Sequence, residues 1–124
     1  MKHRTTQRQQ DILDALSSDM YGEVGTQPYS APTVTYLLNL GRDKPISLSA
    51  VRATLKLLLA KGLVTMERQP EEVPTGLGYI TRPLDCYWSA ATEQQDRLSA
   101  KAWHDGSQAR SDAALAVMVK AFTG

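Results

Sequence analysis

The stretch from Ser47 to Val64 constrains the fold of this chain more than any other. Its apolar residues recur every three or four positions, which is the spacing of one helix face packed on a core. These residues are Leu48, Val51, Leu55 and Leu58, and Leu57 and Leu59 widen the stripe. Ser47 can accept a hydrogen bond from the first free amides, and Gly62 after Lys61 predicts the end of the helix. The sequence therefore predicts an amphipathic helix, followed by a strand that begins near Val64.

The opposite face of this amphipathic helix is small and cationic. It carries Ser49, Arg52, Ala53 and Lys56, and the helix contains no acidic residue. The major groove of B-DNA admits an α-helix, and short or basic side chains on the exposed face can reach base edges and phosphates there. We therefore expect double-stranded DNA as the partner of this face.

Two further helices are predicted ahead of the amphipathic helix. Thr6 and Gln9 form a capping-box pattern that starts a first helix. Ser30 can cap a second helix, which Gly41 ends. Between these two helices, Gly and Pro residues predict a loop with a short strand at Glu23–Val24. The second helix, a short turn and the amphipathic helix together form a helix-turn-helix.

A β-hairpin is predicted after the amphipathic helix. Its first strand runs from Val64 to about Arg68. The segment over residues 69–78 is rich in Pro and Gly, which predicts a long hairpin tip without regular structure. The returning strand ends near Ser89, and Pro83 predicts a bulge or an edge position within it.

Residues 92–124 are predicted to be helical. Thr92 starts the first helix of this region, and Trp88 and Trp103 are expected to pack it on the hairpin. A later apolar stripe at helical spacing has no cover within so small a domain, so we expect it to pair two copies of the chain. This stripe consists of Leu115, Met118, Val119 and Phe122. The chain accordingly divides into a domain over residues 1–91 and a dimerisation region over residues 92–124.

Composition narrows the classes of function. Cys86 is the only cysteine, so no intrachain disulfide or thiolate metal cluster is expected, and we expect this residue to pack as a small hydrophobe rather than act as a redox sensor. His3 and His104 are too far apart in the sequence to suggest a metal site. No membrane span, signal peptide or catalytic motif is recognisable. We expect a cytoplasmic, nucleoid-associated protein that is not an enzyme and needs no cofactor.

Two segments resemble the winged helix-turn-helix transcriptional regulators of the GntR, MarR and PadR families. The segment from Ser47 to Val64 is similar to the GntR recognition-helix pattern S-x-x-x-V-R-x-x-L-x-x-L-x-x-x-G-L-V. Cys86–Ser89, the sequence C-Y-W-S, lies where PadR and MarR proteins have the last wing strand before a C-terminal helix. The resemblance covers roughly residues 5–103. It implies an α+β, mainly α fold, in which three helices and a two- or three-stranded wing precede one or more C-terminal helices.

The resemblance also implies which residues contact DNA. Ser47, Ser49, Arg52 and Lys56 match contact positions of these families. We add the cations of the helix-turn-helix turn and of the hairpin base as phosphate contacts, namely Arg42, Lys44, Arg68 and Arg82. The predicted hairpin tip departs from the usual basic wing tip, because the sequence there is P-E-E-V-P over residues 70–74. Its carboxylates would be repelled by phosphates.

These features predict a sequence-specific transcriptional regulator, a dimeric repressor with the amphipathic helix in the major groove. Two alternatives remain open. The near-neutral net charge of +1 and the acidic hairpin also fit a winged helix that serves as a protein-interaction module. A replication-initiation factor of a phage or plasmid would share the fold and the DNA contact but would recognise tandem repeats.

Overall fold

A computed structural model of the chain describes residues 5–106. The elements in chain order are α1 (Gln7–Leu16), α2 (Tyr21–Val24), β1 (Tyr29–Ser30), α3 (Ala31–Asn39), α4 (Leu48–Ala60), β2 (Val64–Thr75), β3 (Gly78–Ser89) and the helix over residues 93–106, which we call α5. The predicted α+β class, with more helix than strand, is confirmed. The predicted dimerisation residues Leu115, Met118, Val119 and Phe122 lie outside the described residues. Within the described range, no helix is long and apolar enough to cross a bilayer.

The core forms where α1, α3 and α4 pack together against the start of β2. Its buried residues include Ile12 and Leu16 of α1, Val34 and Leu38 of α3, Val51, Leu55 and Leu58 of α4, and Val64 of β2. Lys61 Nζ donates to Gln9 Oε1 at 3.1 Å and so joins the end of α4 to α1. The inward stripe predicted for the amphipathic helix is therefore confirmed.

The predicted widening of that stripe by Leu57 and Leu59 is wrong. Their exposed fractions are 55% and 37%, whereas Leu58 between them is fully buried. Successive helical residues point about 100° apart, so the two neighbours of a central buried residue project to its flanks. On α4 those flanks lie at the surface.

Local capping signals define the starts of α1 and α4 as predicted, whereas Ser30 precedes α3 without a side-chain cap bond. Thr6 and Gln9 form a complete capping box at α1, with each side chain bound to the other residue's backbone. Ser47 Oγ accepts a hydrogen bond from the Ala50 amide at 3.1 Å and caps α4. Gly62 follows α4 at φ +73°, a conformation that an L side chain rarely adopts.

The short strand predicted at Glu23–Val24 is wrong. Residues in this segment close one helical turn, in which the Val24 amide donates to the Met20 carbonyl at 3.1 Å. The short strand is instead Tyr29–Ser30, which pairs antiparallel with β3 opposite Tyr87 and Cys86. An unpaired strand cannot satisfy its backbone groups, and only this later segment lies along the open edge of β3.

The predicted unstructured tip over residues 69–78 is also wrong. β2 and β3 pair continuously from Val64 opposite Ser89 to Thr75 opposite Gly78, and only Gly76 and Leu77 form the turn. β3 is the central strand in the sheet order β1-β3-β2. The P-E-E-V-P segment consequently lies within β2 and not at the tip.

Three prolines fit within the strands because of their register. Pro70 lies directly opposite Pro83, and neither has an N–H to donate, so this is a non-hydrogen-bonded pair of the ladder. Pro74 is four residues from Pro70 and occupies the same type of position. The ring nitrogens therefore point away from the partner strand, at ribbon edges where no donor is required. β1 pairs only with Tyr87 and Cys86, so β3 has an open side at Pro83 although it is the central strand of the sheet. Pro83 thus occupies a local edge position, one of the two outcomes predicted for it.

Candidate nucleic-acid interface

The solvent-facing side of α4 carries the residues that the sequence predicted. Ser49, Arg52, Ala53 and Lys56 are all exposed, and no other described element covers them. Arg52 and Lys56 are one helical turn apart, so their cationic groups project along one line. α4 therefore presents positive charge and short side chains on a face without a carboxylate.

A cleft adjoins this face, and we call it the α4 cleft. Its volume is about 440 Å³. One wall is the line of Arg52, Lys56 and Leu59 on α4, and Ser30 and the first residues of α3, Ala31 and Pro32, also line the cleft. The other wall is the base of the hairpin, formed by Arg68, residues 83–85 and Tyr87. Three cations thus line a single concave surface.

The register of the hairpin determines which of its cations reaches the cleft. Arg68 lies opposite Asp85 in the ladder, and both line the α4 cleft. Arg82 lies opposite Glu71 in the ladder. On β3 it is three residues from Asp85, which is an odd separation. Since successive side chains point to opposite faces of a sheet, Arg82 projects from the other face. The structure brings Arg68 together with the α4 cations and does not bring Arg82 there.

The two cations of the turn between α3 and α4 occupy separate positions. Arg42 Nη2 lies 3.3 Å from Asp11 Oδ2, in a recess that it shares with Asp14 of α1. This ion pair directs Arg42 toward α1. Lys44 is exposed in the turn that leads to the cap residue Ser47.

The charges at the hairpin side of the cleft are paired. Arg68 Nε lies 3.2 Å from Asp85 Oδ1, and both side chains are exposed, to 74% and 45%. Tyr87 lies beside this pair on the same hairpin face. Burial raises the pKa of Tyr87, and the neighbouring Asp85 and Cys86 add to the rise. The guanidinium of Arg52 opposes that rise in pKa, which agrees with its position across the cleft.

The opposite face of the hairpin holds α5 through polar contacts. Glu67 accepts hydrogen bonds from Trp88 Nε1 and, at 3.0 Å, from Arg97 Nη2 of α5. The Arg97 guanidinium also lies 4.3 Å from the centre of the Trp88 ring, a cation–π geometry. Trp88 therefore packs α5 on the hairpin as predicted. Trp103 contacts Tyr21 of α2, with ring centres 5.7 Å apart.

Cys86 is fully buried on that second face. Burial raises the pKa of its thiol to about 12, and the nearby Glu71 carboxylate contributes to this rise. Cys86 Sγ lies 3.7 Å from Glu71 Oε1, to which it donates. The reactive thiolate is thus disfavoured, in agreement with the expectation of a packed, unreactive cysteine. Among residues 5–106, no group of three or more His, Cys, Asp or Glu side chains could hold a metal ion.

The sequence prediction included the α4 residues and Arg68, but not the other hairpin residues that face α4. Asp85 and Tyr87 line the cleft, but nothing in their local sequence indicates which sheet face they occupy. The one usable signal is the alternation of the strand, which assigns them to the same face as each other. Their position opposite α4 requires the ladder register and the packing of the hairpin.

No model of a known protein family matches this chain, and comparison with curated proteins finds no match either. The resemblance to winged helix-turn-helix regulators therefore remains a prediction from the residues that carry it.

Proposed function

We propose that this chain is a winged helix-turn-helix protein that binds double-stranded DNA. In this assignment α3 and α4 are the helix-turn-helix, and β2 with β3 is the wing. The observation that carries the proposal is the exposed, acid-free face of α4 beside a cleft lined by Arg52, Lys56 and Arg68. A duplex presents phosphates on both sides of its major groove, so a cationic helix with a second cationic wall fits that shape.

Each cation has a distinct role in this proposal. Arg52 lies one turn into α4, where residues of recognition helices reach base edges, and it reads a guanine. Lys56 and Arg68 contact backbone phosphates from the two walls of the cleft. Ser47 and Ser49 add hydroxyl contacts at the start of the helix. Arg42 and Lys44 approach phosphates from the turn, and Arg42 does so in competition with Asp11.

The proposed biological role is that of a cytoplasmic, nucleoid-associated transcriptional repressor that acts as a dimer. Residues 1–91 are the DNA-binding domain, and residues 92–124 join two copies. A single domain offers few contacts to a duplex, and a twofold partner doubles them. Two α4 helices related in this way contact half-sites about 34 Å apart, one turn of the duplex.

Selection of bound fragments from a random duplex library tests this proposal directly. We expect an enriched palindrome with half-sites one helical turn apart. Affinity for the selected site should fall steeply between about 50 and about 200 mM salt, because bound phosphates release counterions. A library that shows no enrichment, together with no salt-dependent binding, would contradict DNA recognition. Enriched tandem repeats would indicate the replication-initiation role instead.

One observation favours the second candidate, a protein-interaction module. Leu77 at the apex of the hairpin is fully exposed, and the neighbouring Tyr79 is exposed to 73%. The outer part of the hairpin, residues 70–83, also carries two acids, Glu71 and Glu72, and a single cation, Arg82. Such a surface is apolar at its end and weakly acidic along its length. Binding to a protein that persists at high salt and is lost in Leu77→Ser would support this function.

A further inference from the structure

A carboxylate lies within the cationic cleft. Among the described residues that line the α4 cleft, Asp85 is the one acid beside the three cations. It lies directly opposite Arg68, in the same class of non-hydrogen-bonded ladder pair as Pro70 and Pro83. Side chains approach most closely in such pairs, and Arg68 Nε is 3.2 Å from Asp85 Oδ1. The register itself therefore holds this acid against the hairpin cation of the cleft.

The fold gains little from this ion pair. Both side chains are exposed, and exposed pairs of this kind contribute little to the free energy of unfolding. The core also lies elsewhere, between the helices and the start of β2. The charge of Asp85 consequently has its main effect on the binding of a ligand in the cleft.

We propose that Asp85 limits the sequence-independent affinity of the α4 cleft for DNA by occupying Arg68 in the free protein. The inference rests on the proposed function. A backbone phosphate that reaches Arg68 must displace the carboxylate, and it then remains close to that negative charge. The negative charge of Asp85 thus lowers the net charge of the cleft from +3 to +2. Because phosphate contacts carry no sequence information, this reduction weakens binding to every duplex.

The test is Asp85→Asn in the full chain, with a short random-sequence duplex as the probe. We expect a roughly 3- to 10-fold tighter Kd at about 50 mM salt, and a smaller gain at about 200 mM. The slope of log K against log salt should steepen by about 0.9, as for one additional phosphate contact. Fluorescence anisotropy across a salt series measures both quantities.

Glu23→Gln is the matched control, because it removes one negative charge from α2, outside the residues that line the cleft. A gain of equal size in both variants would reduce the effect to net charge and overturn the inference. A wild-type protein that binds the duplex and an Asp85→Asn variant that binds no tighter would overturn it as well. If neither the wild type nor the Asp85→Asn variant binds the duplex, the proposed function and this inference both fail. Asp85→Ser, which also removes the carboxylate, should reproduce the gain if Asp85→Asn proves unstable.

Discussion

Arg52 and Tyr87 illustrate how single residues define the candidate interface. The arginine projects from the exposed face of α4, and the tyrosine faces it from the hairpin. The ring of Tyr87 packs against the core on one side and forms part of the cleft on the other. The cleft wall is therefore anchored to the core, which restricts the positions that Arg52 can occupy without fixing it in an ion pair.

Replacement of Arg52 by alanine tests its proposed role as a base-reading residue. Loss of a bidentate contact to guanine should weaken binding of the selected site by about 1–3 kcal/mol and relax the preference at one base pair. Competition with single-base variants of the selected duplex measures both effects. Lys101→Ala removes a cation from α5, which lies outside the cleft, and serves as the control. An unchanged base preference in Arg52→Ala would remove this residue from the proposed interface.

Arg68 and Arg82 form a natural pair for comparison, since they project from opposite faces of one ribbon. Arg68→Ala should reduce the affinity for any duplex about 10-fold at low salt, because it removes a phosphate contact and leaves Asp85 without its partner. Arg82→Ala removes the same charge from the other face and should have a much smaller effect. Titration of both variants with one duplex gives the comparison. Equal losses would contradict the assignment of the cleft face.

The elements of this fold differ in how far the sequence predicts them. The start of α1 and both ends of α4 follow from Thr6, Ser47 and Gly62, because a cap or a stop acts within a few residues. The length of the hairpin does not follow from its local sequence. In the sequence, Pro70 and Pro83 suggest a loop. The register of the ladder shows that both fit within strands, because each proline nitrogen points away from the partner strand. Strand pairing is a non-local property, and the position of Asp85 in the cleft depends on it.

The contact between α5 and the hairpin depends on the charge of Glu93. Hydrogen bonds from Thr65 and from Arg97 lower the pKa of Glu93 below its ordinary value of 4.5. A lowered pKa in the folded state means that Glu93 stabilises the fold fully above about 4.5, and that this contribution is lost as the pH falls through the folded pKa. Glu93→Gln should therefore flatten the acid side of the stability profile, which urea unfolding at several pH values measures. Gln94→Glu alters an exposed neighbour and should leave the contribution of Glu93 in place.

At the scale of the whole molecule, the hairpin separates two environments. One face borders the cationic cleft beside α4, and the other binds α5 through Glu67, Trp88 and Arg97. Any displacement of α5 on its side of the sheet therefore acts on the same strands that form the cleft wall. This arrangement links the predicted dimerisation region to the predicted DNA-binding surface through one continuous element.

The predicted dimer is open to a direct test in the C-terminal region. Leu115→Asp combined with Met118→Asp places two charges on the apolar stripe and should convert the dimer to a monomer, as measured by sedimentation velocity. Affinity for a palindromic site should fall by more than 10-fold, because the two halves then bind independently. Lys120→Asp changes a residue outside the stripe and is the control. A dimer that survives both stripe substitutions would show that a different surface joins the copies.

The placement of the three strand prolines has a further consequence for recognition. Many exposed ribbons capture an extended peptide by lending it their free main-chain donors and acceptors. Here the outward positions of β2 at residues 70 and 74, and that of β3 at residue 83, lack the donor such an added strand requires. A strand added along either edge would therefore lose main-chain bonds at these positions, so side chains contribute more of the recognition at the outer half of this hairpin.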